Sequence, residues 1–236
     1  YRTNLKDLEP DGSATVRIQT KAGTPDNHNA RLERQRTMDF SLGGEHLFGL
    51  LSMDWHASYA KASEERPNER YIDFQLKKQK FDIDLSNERQ PFASPKDGST
   101  MTLNDEFSLK ELTEQQEDIK EQDLKFSANF KLPFKNGNKL KFGAKVVRKT
   151  KDKTVDFYEY SPLDEDAFME NSLKNTVDQS NKHFMPNSKY QTGIYASKEY
   201  TGALDLNNPA LFEKEQVQEE LAGNFEARET VSSGYV

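Results

Sequence analysis

No cysteine occurs in the 236-residue sequence. That absence excludes thiolate catalysis, Cys-ligated zinc and disulfide staples, and leaves the redox compartment open. Apolar residues are also scarce. Only 33% of the residues are hydrophobic and 31% are charged, with a mean hydropathy of −0.96; a compact soluble domain carries about 45–50% apolar residues. No apolar run approaches the roughly 20 residues that a membrane helix requires. This does not exclude a membrane protein, because the strands of a transmembrane barrel are almost invisible to hydropathy averaging. The net charge is −7, with Lys and Arg scattered among Asp and Glu, so no basic stripe invites nucleic acid. The chain opens at Tyr1 without an initiating Met or a signal peptide and closes at Val236 in what reads as mid-strand, so we read it as an internal piece of a longer protein.

What the sequence does have is aromatic residues and alternation. Fifteen Phe, nine Tyr and one Trp are too many for a solvated disordered tail. Over residues 51–59, Leu51, Met53, Trp55, Ala57 and Tyr59 alternate with Ser52, Asp54, His56 and Ser58, the period-two signature of a strand with one apolar and one polar face. The same pattern recurs with Met38, Phe40 and Leu42; with Ile72, Phe74 and Leu76; with Phe81, Ile83 and Leu85; with Leu124, Phe126, Ala128, Phe130 and Leu132; and with Leu140, Phe142, Ala144 and Val146. The residues between them are often charged. A soluble sandwich would turn that face to solvent, whereas a barrel would turn it to a water-filled interior.

The connections separate these two readings. Gly43, Gly44, Glu45 and His46 are expected to form a short turn before the Leu51 strand, and Asn136-Gly137 is a strong hairpin signal before the Leu140 strand. Long polar connections are expected over about 63–112 and 161–215, holding strand extensions around Ile72 and Phe81, a short helix over 107–119, a helix-compatible stretch over 162–175, and a helical turn after Asn207-Asn208-Pro209. Alternating short turns and long loops characterise outer-membrane barrels, and a compact soluble domain rarely holds structureless connections beyond about 15 residues. The expected fold is all-β: antiparallel, up-and-down transmembrane β-barrel strands forming a partial barrel, with long extracellular loops. The alternative is a soluble β-sandwich or small barrel acting as a binding or adhesion module.

Nothing points to an enzyme or a cofactor. His28, His46, His56 and His183 form no HExxH spacing, and no nucleophile elbow or triad spacing occurs. Asp164, Glu165 and Asp166 lack the glycine and bidentate Glu of a calcium loop, so a solvated charge cluster is the plainer account. Leu51, Met53, Trp55, Ala57, Tyr59, Phe126, Phe130 and Phe142 are expected to face lipid, with Tyr59 and Phe130 in interfacial girdles. His56, Lys141 and Lys145 are expected on the lumen face. The lysines could favour anionic cargo or neutralise neighbouring carboxylates. Tyr190, Tyr195 and Tyr200 could stack on cargo in a loop or simply pack there.

The segment from Trp55 through Ala60, Ser63 and Arg66-Pro67-Asn68 to Tyr71 resembles a barrel strand and its extracellular loop in TonB-dependent outer-membrane receptors, most closely the large receptors of Bacteroidetes. The stretch from Ser41 to His46 resembles the periplasmic turn before it, and Asn224 to Val236 resembles a strand descending from a long loop. The resemblance implies residence in the bacterial outer membrane, contact with its lipid, and uptake of a scarce nutrient such as a siderophore, vitamin or glycan. It further implies TonB acting through a plug domain and, for glycan or peptide uptake, a surface lipoprotein partner. Residues 1–236 would then be part of one barrel domain, without its plug or C-terminal strands.

Overall fold

The computed structural model describes residues 1–26, 32–89, 91–98, 101–181, 183, 192–218 and 220–236. The described strands are β1 (Arg2–Lys6), β2 (Ser13–Ala22), β3 (Arg34–Phe48), β4 (Leu51–Asp84), β5 (Phe92–Pro95), β6 (Ser108–Pro133), β7 (Lys139–Pro162), β8 (Thr176–Asp178), β9 (Ile194–Ala196), β10 (Phe212–Gln216) and β11 (Phe225–Tyr235). Helix α1 (Glu165–Lys174) follows β7, and α2 (Lys198–Ala203) follows β9. One sheet takes the order β1-β2-β4-β6-β7-β10, with β3 and β5 also pairing with β4 and β11 with β7; β8 and β9 form a separate ribbon. The registered pairings are antiparallel. The fold is all-β, as the alternation predicts.

The chain divides into two compact units, and β4, β6 and β7 each contribute to both. The first comprises residues 1–32, 68–115 and 157–217 and has an ordinary core. Val16, Ile18, Ile72, Phe74, Leu112 and Tyr160 are fully buried, and α1 adds Phe168, whose ring meets Phe212 edge-on at 5.9 Å. Asp164 caps α1 by accepting from the Ala167 amide at 2.9 Å, and Glu165 and Asp166 occupy its first turn, where carboxylates complement the helix dipole. The acidic cluster thus marks a helix start. Arg70, buried, donates from Nε to Glu114 at 2.6 Å and from Nη1 to the carbonyls of Gly202 and Leu204, which satisfies acceptors that the end of α2 leaves open.

The second unit comprises residues 33–67, 116–156 and 218–236. It is a five-stranded sheet in the order β3-β4-β6-β7-β11. Among its described residues the only buried hydrophobic one is Val155.

Several expectations are corrected. Gly43, Gly44, Glu45 and His46 are not a turn: β3 runs through them, and the chain reverses at Gly49 and Leu50, where Gly49 adopts φ +65°. Glycine permits that conformation, and the paired strands on either side outweigh the poor strand preference of Gly43-Gly44. Residues 63–112 are not mainly a loop, since β4 continues to Asp84 and β6 begins at Ser108. The expected helix over 107–119 is the first half of β6, because pairing with β4 and β7 overrides its Glu, Gln and Lys content. After Asn207-Asn208-Pro209 no regular helix forms, but a single turn does: the Asn208 side chain accepts from the Ala210 amide at 3.0 Å and its carbonyl from the Leu211 and Phe212 amides, both at 3.0 Å, before β10. The Asn136-Gly137 turn, α1 and the strand extensions through Ile72 and Phe81 form as expected. Pro67 lies between the stretch of β4 paired with β3 and the stretch paired with β2, so no bond in either ladder is lost to its missing N–H.

Candidate functional site: two faces of the five-stranded sheet

The register between β3 and β4 fixes which side chains share a face. Phe48 lies opposite Leu51, His46 opposite Met53, Gly44 opposite Trp55, Leu42 opposite Ala57 and Phe40 opposite Tyr59. The intervening pairs are Leu47 with Ser52, Glu45 with Asp54, Gly43 with His56 and Ser41 with Ser58. Opposite residues point the same way, so one face is apolar and the other mostly polar. Asn129 donates to Asp54 at 2.7 Å, which puts the odd residues of β6 on the polar face and Phe126 and Phe130 on the apolar one. Phe130 stacks on Phe142 with ring centroids 4.9 Å apart, extending the apolar face onto β7. All eight residues expected on the lipid side, Leu51, Met53, Trp55, Ala57, Tyr59, Phe126, Phe130 and Phe142, therefore share one face.

That face is uncovered among the described residues. Leu42 is 67% exposed and Phe40 61%. The nine residues 51–59 extend about 26 Å along the strand at a rise of about 3.3 Å per residue. Gly44 serves this face: a Cβ there would lie 2.7 Å from Trp55 Nε1, so the missing side chain lets the indole lie across β3. The indole N–H donates to His46 Nε2 at 3.1 Å, giving a polar group on an apolar surface its partner.

The opposite face bears a hollow of about 440 Å³ lined from all five strands: Thr37 from β3, Ala60, Lys61 and Ala62 from β4, Glu121 and Asp123 from β6, Lys149, Thr150 and Lys151 from β7, and Ala227, Arg228 and Glu229 from β11. An ion pair crosses it, with Lys151 at 2.5 Å from Glu121, and further along the same strands Lys153 lies 3.5 Å from Glu117. His56, Lys141 and Lys145 lie on this face and are exposed, and among the described residues neither lysine makes a salt bridge. Sequence reasoning missed a polar chain here. Tyr235 hydrogen-bonds Asn129 at 3.1 Å, and Asn129 in turn holds Asp54. Tyr235 reaches across Gly143, where a Cβ would meet Asn129 Oδ1 at 2.7 Å and the Ala128 carbonyl at 2.8 Å. A glycine within the alternating Leu140 strand was the available signal. β11 departs from its neighbours: its register sets Phe225, Ala227, Val231 and Tyr235 on the hollow face and Gly234, Ser232 and Thr230 on the other.

The loop tyrosines belong elsewhere. Tyr195 is buried in the core of the first unit, sharing a hydrogen bond with Thr3 at 2.9 Å. Tyr200, in α2, bonds Ser172 at 3.2 Å and packs against Phe168, and its hydroxyl pKa is raised by burial, partly offset by the Ser172 bond. Both rings do packing work. Tyr190 lies outside the described residues.

No family model, curated protein or solved structure matches the chain.

Proposed function

We propose that the five-stranded sheet is a section of the wall of an outer-membrane β-barrel belonging to a TonB-dependent transport receptor that takes up a scarce nutrient. The observation that carries the membrane reading is the inverted sheet. Charged residues line its hollow side, while Phe40, Leu42, Tyr59, Leu124 and Phe126 stand exposed on the outer side. A soluble barrel or sandwich buries its apolar face within the fold, whereas a transmembrane barrel turns an apolar band about 25 Å tall to lipid and a polar face to water. The nine residues 51–59 match the low end of the roughly 9–11 residues that a tilted spanning strand uses. Among the described residues β3 and β11 each pair on one side only, so their outer edges present unpaired amides and carbonyls of the kind a closed barrel satisfies with further strands. The short connections at Gly49-Leu50 and at 134–138, against the long ones over 85–107 and 163–211, fit periplasmic turns and extracellular loops. The receptor family rests on the short motifs around Trp55 to Tyr71 and Asn224 to Val236. TonB and any lipoprotein partner come with that family.

Trp55 is the sole tryptophan and stands on the apolar face, so its fluorescence tests the membrane reading directly. In bilayers, lipids brominated along the acyl chain should quench it strongly. A chain that stays monomeric without detergent, or a Trp55 that chain-brominated lipids leave unquenched, refutes the membrane wall. A parent reading frame without a plug domain refutes the receptor.

A further inference from the structure

We propose that Arg36, Lys61 and Arg148 form a docking row for the anionic phosphate headgroups of the lipid covering the apolar face. The inference rests on the membrane reading of that face and adds where the hydrocarbon ends and which lipid chemistry meets the protein there.

The apolar face stops abruptly. On β3 and β4 the pair Phe40–Tyr59 is followed by Met38–Lys61 and then by Arg36–Ser63. On β7 the series Phe142, Ala144, Val146 is followed by Arg148, opposite Thr230 of β11. Same-face neighbours along a strand are about 6.6 Å apart, so apolar gives way to cationic within one or two such steps. The hollow fixes the relative heights of the strands, because Thr37, Ala60, Ala62, Lys149 and Lys151 line it together. Lys61 borders the hollow between Ala60 and Ala62, and its register opposite Met38 sets its side chain on the reverse side with Tyr59; Arg148, next to Lys149, stands there at nearly the same level.

These three cations differ from the others on this face. Arg34 pairs with Glu65 at 3.4 Å, Lys120 with Asp118 at 2.7 Å and Arg228 with Glu226 at 2.5 Å. Arg36, Lys61 and Arg148 are exposed and make no salt bridge among the described residues. Their aliphatic stems can lie along the apolar surface while their charges reach the headgroup layer. Phosphate suits both chemistries, since guanidinium binds it through paired donors and ammonium as a compact charge.

The test compares partition of the whole chain into vesicles of phosphatidylcholine alone and of phosphatidylcholine mixed with phosphatidylglycerol, at low and high salt. Each cation near an anionic surface contributes about fivefold, so three predict a preference for the anionic vesicles on the order of a hundredfold that high salt suppresses. R36Q/K61Q/R148Q should lose that preference and still enter phosphatidylcholine. R36K/R148K should keep it, as should K141Q/K145Q on the hollow face. A triple variant that retains the wild-type preference overturns the proposal. Equal wild-type partition into both vesicles overturns it as well, but leaves the membrane wall standing. Entry into neither vesicle overturns the membrane wall itself.

Discussion

Arginine placed at Ala57 or at the adjacent Ser58 separates a lipid-facing sheet from every alternative. Ala57 lies opposite Leu42 on the apolar face, and Ser58 opposite Ser41 on the hollow face. The middle of the 51–59 stretch is Trp55, so Ala57 is about 7 Å from the midpoint along the strand. Arginine on the lipid face of a barrel costs about 2–4 kcal/mol at the midplane and about 0–1 near the interfaces. Ala57→Arg should therefore destabilise by about 2–3 kcal/mol, on the order of a hundredfold in the folding equilibrium. Ser58→Arg projects into a wet, charged hollow and should stay within about 0.5 kcal/mol of wild type. Urea unfolding in bilayers, followed by Trp55 emission, measures both. Equal costs at the two positions, or a cost at Ala57 below about 0.5 kcal/mol, would falsify the lipid assignment of this face. A large Ala57 penalty in a lipid-free, soluble chain would refute it too, because polypeptide rather than hydrocarbon would then cover the site.

Three further outcomes are expected. Gly143→Ala drives a Cβ to 2.7 Å from Asn129 Oδ1 and 2.8 Å from the Ala128 carbonyl; it should cost about 1–3 kcal/mol in the same unfolding assay, and a neutral result would mean that Tyr235 does not cross β7 there. Glu114→Ala strips the buried Arg70 of its carboxylate at 2.6 Å and should cost about 3 kcal/mol, read as a lowered denaturation midpoint for the first unit; an unchanged midpoint would show that the Gly202 and Leu204 carbonyls suffice for Arg70. Burial raises the Asp73 pKa above its ordinary 3.8, against the opposing Gln19 bond and the charges of Arg17, Lys110 and Arg2. The folded state thus binds that proton more tightly than the unfolded chain, and stability falls as pH rises from the ordinary value through the raised one. Asp73→Asn should accordingly stabilise at neutral pH and give no gain well below the ordinary carboxylate range, and unfolding midpoints at the two pH extremes check it.

Legibility in the sequence followed the strength of the local signal. The alternation from Leu51 to Tyr59 and from Leu124 to Leu132 is strict, and those strands with their faces are where it places them. Residues 13–22 carry an equally regular pattern, with Ala14, Val16, Ile18, Thr20 and Ala22 buried at every second position. They drew no attention because small and polar members dilute the apolar series. Gly43-Gly44 looked like a turn on local chemistry alone. Its role depends on Trp55, which reaches the glycine only after β3 and β4 pair. The segment over 107–119 has helical composition, and its strand exists because β4 and β7 flank it. Tyr195 and Tyr200 became packing residues through partners far along the chain, Thr3 and Ser172 among them. The same holds for Tyr235, Asn129 and Asp54, which meet only across the assembled sheet.

The low apolar content has a physical explanation that differs between the units. In the first, apolar side chains converge on one core, and Val16, Ile18, Ile72, Phe74 and Leu112 are withdrawn from water in the ordinary way. In the second, side chains of the same kind stand on a face with nothing described to cover it. Each large side chain left in water forgoes about 1.5–3 kcal/mol of burial. Phe40, Leu42, Phe48, Leu124 and Phe126 together would thus withhold on the order of 10 kcal/mol, comparable to the whole stability of a typical domain. Long open edges on β3 and β11 would add an exposed template for strand pairing. A sheet with these properties is poorly suited to water by itself. On the proposed membrane reading, hydrocarbon on the outer face and further strands at both edges would relieve both problems and would leave the charged hollow, with Lys141, Lys145 and His56, facing water.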